Sequence, residues 1–334
     1  MAPSTAYGAF SQFGTMKKPA SLCGAALALL AANAFADTEP GLSDKSPPPY
    51  QANAEFGMGH EYYSSPLVRF NDQGPLIEVV GRRHASGDYR HISASFMKDF
   101  PLTDGVSLQM SAAMWNRHFP NARDLDIGIV SVDGIVRFQL GQASLGMGPS
   151  FQQIASGGRP FRDRASMQLD WTRVKENKGY TSVVVEVGDN RHSEQFRDLD
   201  SRSCLALLRE QFIAPARGVR ELSIEAGMVR EINRFGYADL SNLQVYARLN
   251  LGFDMLGLDW NLGGTLQKAR FDGPLMDELP SREDSFISGD LSVGYTLSKE
   301  ISLRWTLSGY RNRSNVVLYD GWFRGNSLSL NAAF

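Results

Sequence analysis

Acid–base or metal chemistry on this chain would have to begin with five histidines, His60, His84, His91, His118 and His192. General acid–base work needs an imidazole near a reacting proton, and covalent catalysis needs an activated nucleophile within its reach. The sequence offers no Gly-x-Ser-x-Gly, no His-Glu-x-x-His and no cluster with metal-ligand spacing. Four of the histidines, His84, His91, His118 and His192, are expected towards one rim of the fold. Two stand in Arg-rich contexts, Arg82-Arg83-His84 and Arg191-His192. Of two cysteines, Cys23 lies in an N-terminal apolar segment, which leaves Cys204 alone. No disulfide framework is possible, and no thiol-enzyme motif surrounds Cys204. The expectation is a protein without catalysis, cofactor or bound metal.

The other residues that could do chemistry are charged: Arg164, Asp170, Glu186, Glu221, Glu225, Arg248, Asp259, Asp290 and Arg304. Both signs are present, which suits hydrogen-bonded ladders along a wall better than a filter for one ion sign. Most stand where polar and apolar residues alternate, as Asp170 does between Leu169 and Trp171. Period-two alternation marks a strand with one apolar and one polar face.

The elements that position these residues are therefore strands. The clearest is the last stretch. Ile301, Leu303, Trp305 and Leu307 alternate with Ser302, Arg304, Thr306 and Ser308, and the chain ends on Leu328, Leu330 and Phe334 interleaved with polar residues. Similar alternation runs through residues 92–96, 106–114, 165–171, 183–187, 222–228, 243–251, 258–266 and 287–297. Less regular strands are expected at 75–84, 124–139, 142–155 and 198–212. The total is about 14, within roughly 12 to 16, and even if both ends lie on one side of a membrane. Residues 55–63 are also strand-like but stand outside that count. All-β architecture is expected: a transmembrane antiparallel up-and-down β-barrel whose closing signal is Leu328, Leu330 and Phe334. An edge strand of a soluble sandwich would alternate too, so the loops and the N-terminus bear on the choice.

A chain of 334 residues is long enough for one large barrel. Its mean hydropathy of −0.26 is too polar for a helical membrane protein, yet ordinary for strands that are half polar. No run reaches the roughly 18 apolar residues of a spanning helix. A formal net charge of −2 gives no field that would favour nucleic acid. Lys17-Lys18, an apolar run over 22–32 and Ala34-Phe35-Ala36 read as a secretory signal peptide. Residues 1–36 are thus expected to be an upstream extension and signal, with the start at Met16. Residues 37–52, with Pro47-Pro48-Pro49, are expected to be an unfolded periplasmic lead-in, and 53–334 the barrel.

Short connections near 101–105, 175–178, 253–256 and 297–300 alternate with longer polar ones at 154–162, 188–202, 270–283 and 311–324. Short periplasmic turns and longer outer loops are the asymmetry of an outer-membrane barrel. Tyr62, Tyr63, Trp115, Phe119, Phe161, Tyr180, Phe196, Tyr319, Trp322 and Phe323 are expected to form interfacial girdles. The Arg- and His-rich rim would meet lipopolysaccharide phosphates or a partner.

The closing region combines Arg282-Glu283-Asp284, Tyr310-Arg311-Asn312-Arg313-Ser314-Asn315, Leu318-Tyr319-Asp320 and the terminal Phe334. Over the last 55 or so residues it resembles the C-terminal barrel domain of the surface lipoprotein assembly modifier family. The resemblance implies a fourteen-strand barrel in the cell outer membrane, inserted by the barrel assembly machinery and helping a surface lipoprotein client cross. Family members carry a periplasmic helical-repeat domain before the barrel. Residues 37–52 leave no room for one, so a barrel-only relative is expected. A transport or translocation pore, with a lateral seam between the first and last strands, is the leading expectation. A passive porin or exopolysaccharide exporter, and a non-transporting surface protein acting through its loops, are the alternatives.

Overall fold

Alternating strands can hide neither their backbone polar groups nor their apolar face alone, and a closed sheet solves both problems. The computed structural model, which describes residues 50–70, 77–175, 178–274 and 280–334, is such a closed sheet. Its fourteen strands are β1 (Gln51–Phe70), β2 (Ile77–Thr103), β3 (Val106–His118), β4 (Ile127–Leu140), β5 (Ala143–Ser156), β6 (Arg159–Lys175) and β7 (Gly179–His192). They continue as β8 (Ser201–Ala216), β9 (Val219–Asn233), β10 (Asn242–Met255), β11 (Leu258–Pro274), β12 (Ser281–Thr296), β13 (Ile301–Ser314) and β14 (Gly321–Ala333). Each strand pairs antiparallel with its sequence neighbours, and β1 pairs with β14 to close the wall. The stretch expected to be a signal peptide and most of the expected lead-in, residues 1–49, lie outside the described residues.

Strand stagger tilts the wall. One row of paired residues starts at Thr103, at the inner end of β2, and passes through Phe138, Leu145, Trp171, Val183 and Leu208. It continues through Ala226, Ala247, Leu266, Ile287, Arg311 and Trp322 and meets β2 again at His84. A displacement of this size belongs to strands tilted by roughly 35–45°.

The count of fourteen is reached differently from the sequence expectation. The strands expected at 75–84 and 92–96 are not separate; residues 77–84 and 92–96 both belong to β2, because Gly87 continues the ladder opposite Glu61 instead of turning, and residues 75–76 lie outside the described residues. Residues 55–63 belong to β1, the strand that closes the barrel. The outer parts of β1 and β2 pair only with each other: β14 stops at Ser64, and β3 stops at Arg90. They project past the rim as a two-stranded ribbon.

The connections at the end that holds the chain terminus are short, at 104–105, 141–142, 217–218, 256–257 and 297–300. At the other end they are longer, at 119–126, 193–200, 234–241 and 315–320. The exception corrects an expectation. The connection expected over 154–162 is a two-residue turn, Gly157-Gly158, whose φ values of 59° and 72° are those of a tight hairpin. The other outer loops are also shorter than expected, since ladder bonds continue through polar residues that the apolar pattern does not mark.

Candidate functional site

Which face looks inward is settled by contacts that skip a strand, because side chains two strands apart converge on the concave side. Arg137 of β4 donates to Asp170 of β6 at 2.8 Å, over β5. The crossing is possible because Gly146 lies beneath it; a Cβ there would collide with the Asp170 carboxylate. Arg117 of β3 donates to Glu61 of β1 over β2, and Asn190 of β7 donates to Glu231 of β9 at 3.1 Å over β8. On the opposite face Met58, Leu169, Val187, Leu266, Leu303, Leu328 and Leu330 are exposed and form an apolar belt. An apolar outside around a polar inside is the arrangement of a barrel set in lipid.

The nine charged residues singled out above all stand on the inward face. Asp170 has Arg137, Arg164 pairs with Glu186 at 2.9 Å, and Glu225 receives Arg209 at 2.7 Å. Arg220 bridges Glu221 at 3.6 Å and Asp259 at 3.0 Å. Arg248 acts electrostatically on Asp290 across β11, and Arg304 on Glu55. The wall is thus stitched by arginine–carboxylate pairs between strands. The residues that sequence reasoning missed are the partners, Glu55, Glu61, Arg117, Arg137, Arg209 and Glu231. The first two carried a visible signal, since Glu55 and Glu61 share the period of Gly57 and Gly59 opposite Phe56 and Met58.

Several aromatic residues expected in girdles face inward instead. Trp115, Ile127, Ile129, Ile154 and Phe161 meet at the outer end of β3–β6. Phe161 is there because it is the extra residue of a bulge between the pairs Ile154–Arg162 and Ala155–Pro160, which breaks the alternation. Beside this cluster, the Arg117 guanidinium sits among the rings of Tyr89, Trp115 and Phe119 at 5.3–5.4 Å. Tyr63, Phe323, Tyr310 and Phe286 extend the aromatic run across β1, β14, β13 and β12 at 5.2–5.3 Å. Tyr180 is buried on the inward face of β7, and Tyr319 stacks under Arg282. Tyr62 and Trp322 do face outward, on either side of Arg324. Leu205 and Leu207 also point inward, leaving Cys204 and Leu208 exposed on the outer face of β8.

The loop at 193–200 lies over the inward cluster. Phe196 packs edge-on against Phe161 at 5.2 Å, and Leu199 joins it, whereas Glu194, Gln195, Arg197 and Asp198 are exposed. Asn233 Nδ2 donates to Asp198 O at 2.6 Å, and the Ser193 and Arg234 amides donate to Phe161 O and Asp200 O.

Below the Phe286, Tyr310 and Phe323 rings at its outer end, the opposite half of the wall carries mainly small polar residues. Inward positions on β11–β14 include Asn261, Gly263, Thr265, Ser288, Ser292, Ser302, Thr306, Ser308, Ser327 and Ser329. A cavity of about 390 Å³ opens at the inner end of this half, lined by Asn53, Glu55, Ser93, Asp259, Ser302, Arg304 and Asn331.

No family model matches the chain, and no curated protein does. Among solved structures it is similar to OccAB4 of Acinetobacter baumannii, at 8% identity and a TM-score of 0.40, covering 89% of this chain and 100% of that one. It is similar to an anion-selective porin of Comamonas acidovorans, at 12% identity and 0.37, covering 85% and 100%. It is also similar to the translocator domain of the autotransporter NalP of Neisseria meningitidis, at 11% identity and 0.36, covering 93% and 97%. These are likenesses of barrel architecture only.

The histidines do not assemble a site. His91 is buried on the inner wall against Glu55 at 3.0 Å, and pairs in the ladder with Arg117 next to the outer end of β3. His60 pairs with Asp88, His118 with Asp126 at 2.8 Å, and His192 lies 3.5 Å from Asp200. Each is a local fastening between neighbouring segments. Among the described residues no three His, Cys, Asp or Glu gather as a metal would require. The barrel-closing residues are on the outer face: Leu328 opposes Met58, Leu330 opposes Phe56, and the Phe334 and Ala52 backbones exchange two hydrogen bonds.

Proposed function

We propose that this chain is a transport barrel of the Gram-negative outer membrane, and that small hydrophilic solutes pass along its β11–β14 half. One observation carries this reading: a closed wall, apolar outside and polar inside, whose small-residue half opens into a polar cavity at the inner mouth. The pairing of its long charged side chains along the wall leaves the hydroxyl-lined half to face the path. Mixed charge on that half, Asp259, Asp290 and Arg304, fits weak ion selectivity. In this reading the chain reaches the membrane behind its N-terminal signal segment, and the assembly machinery takes up the strand that ends in Leu328, Leu330 and Phe334. Outward Arg90, Arg324 and His118 meet lipopolysaccharide phosphates at the outer rim. No catalytic step is part of it.

A second reading, export of a surface protein as in the surface lipoprotein assembly modifier family, is favoured by the β1–β2 ribbon, which projects beside the closing seam. It requires the seam to open, although residues 53–64 of β1 pair without interruption with β14. Planar-bilayer recordings with purified protein separate the two readings. A steady conductance supports the solute pore. A folded barrel without conductance, from a strain whose deletion strips one surface protein, overturns it in favour of export.

A further inference from the structure

The structure assigns a moving part to the outer mouth: the strap at 193–200 is a displaceable gate over the β4–β6 side of the lumen. This rests on the reading of the barrel as a pore. Ile127, Ile129, Ile154 and Phe161, which form the floor beneath the strap, belong to strands or a bulge between them. The strap differs. Only Phe196 and Leu199 seat it on Ile127, Ile129, Ile154 and Phe161, and every other residue of Glu194–Leu199 is exposed. Among the described residues its backbone is tied to the wall at its ends and at Asp198: the Ser193 amide to Phe161 O, the Arg234 amide to Asp200 O and Asn233 Nδ2 to Asp198 O, while the His192 amide holds the Asp200 carboxylate. Its middle makes no ladder, so releasing two side chains swings it away while the barrel stays closed. The exposed apolar floor would then widen the outer opening, in the manner of a hydrophobic constriction that gates by being cleared.

The test compares single-channel conductance of three forms of the full chain: wild type, Phe196→Ala with Leu199→Ala, and a form with residues 194–199 replaced by a Gly-Ser segment of equal length. Retention of the compact barrel is checked for each by its heat-modifiable mobility on gels. The gate predicts that both altered forms conduct at least about 1.5-fold more than wild type, or that they conduct where wild type is shut. Equal conductance in three folded forms overturns the gate and leaves the pore reading intact. Silence in all three overturns both, because the pore itself has then failed.

Discussion

The two halves of the inner wall solve the same problem with different residues. Across β3–β8, arginines, carboxylates and large apolar side chains pack against one another over the concave face. Across β11–β14, below the Phe286, Tyr310 and Phe323 rings, serines, threonines and glycines predominate and leave room. Both halves show the same clean alternation from outside, since lipid demands the same of each. The difference teaches that the outer face of such a wall reports the membrane, while the inner face reports where the space is.

The comparison is broken most directly by removing a buried partner. Glu61→Ala leaves the Arg117 guanidinium buried without its carboxylate. A loss of about 3–5 kcal/mol in urea unfolding is expected, against about 1 kcal/mol or less for Asp290→Ala in the open half. Similar losses at both sites would show that the halves are not distinct. Phe161→Ala, which empties the centre of the apolar cluster, should cost about 3 kcal/mol or more, and Ser308→Ala next to nothing by the same measurement.

Bulk added to the open half acts on passage more than on stability. Ser308→Trp should lower single-channel conductance by about half, while Gln168→Trp in the packed half should lower the unfolding midpoint and leave conductance of the folded fraction unchanged. Selectivity gives a finer contrast. Asp290→Asn should shift reversal potentials towards anions by about twofold in permeability ratio, whereas Asp170→Asn, whose partner Arg137 holds it to the wall, should not.

The smallest expected effect is on the strap. His192, the last residue of β7, lies 3.5 Å from Asp200 at the end of the strap, and Phe161 packs on its edge. Hydrogen exchange over 193–200 should quicken modestly in His192→Ala, and unchanged exchange would show that this fastening does not hold the strap.

Strand existence was legible in the sequence because lipid-facing residues such as Leu169, Val185 and Leu303 must be apolar at every second position. The same parity puts Asp170, Glu186 and Arg304 on the other face. What alternation cannot carry is contact between strands two apart, so Arg117, Arg137 and Glu231 were invisible as partners. Bulges and turns were misread for the same reason. Phe161 looked like a girdle residue because nothing local shows that a bulge turns it inward, and 75–84 and 92–96 looked like separate strands although Gly87 between them pairs with Glu61. Loop lengths were overestimated where polar residues continue a ladder past the apolar belt.

The central claim, that the open path hugs β11–β14, is tested most directly by thiol accessibility during conduction. In a Cys204→Ser background, Ser308→Cys and Ser327→Cys would be compared with Ile135→Cys and Gln168→Cys, each exposed to a charged, water-soluble thiol reagent in a bilayer. The account predicts that modification blocks current at the first two positions and leaves it untouched at the last two. Equal block at Ile135→Cys or Gln168→Cys would contradict it, and would place the path through the packed half or across the whole lumen.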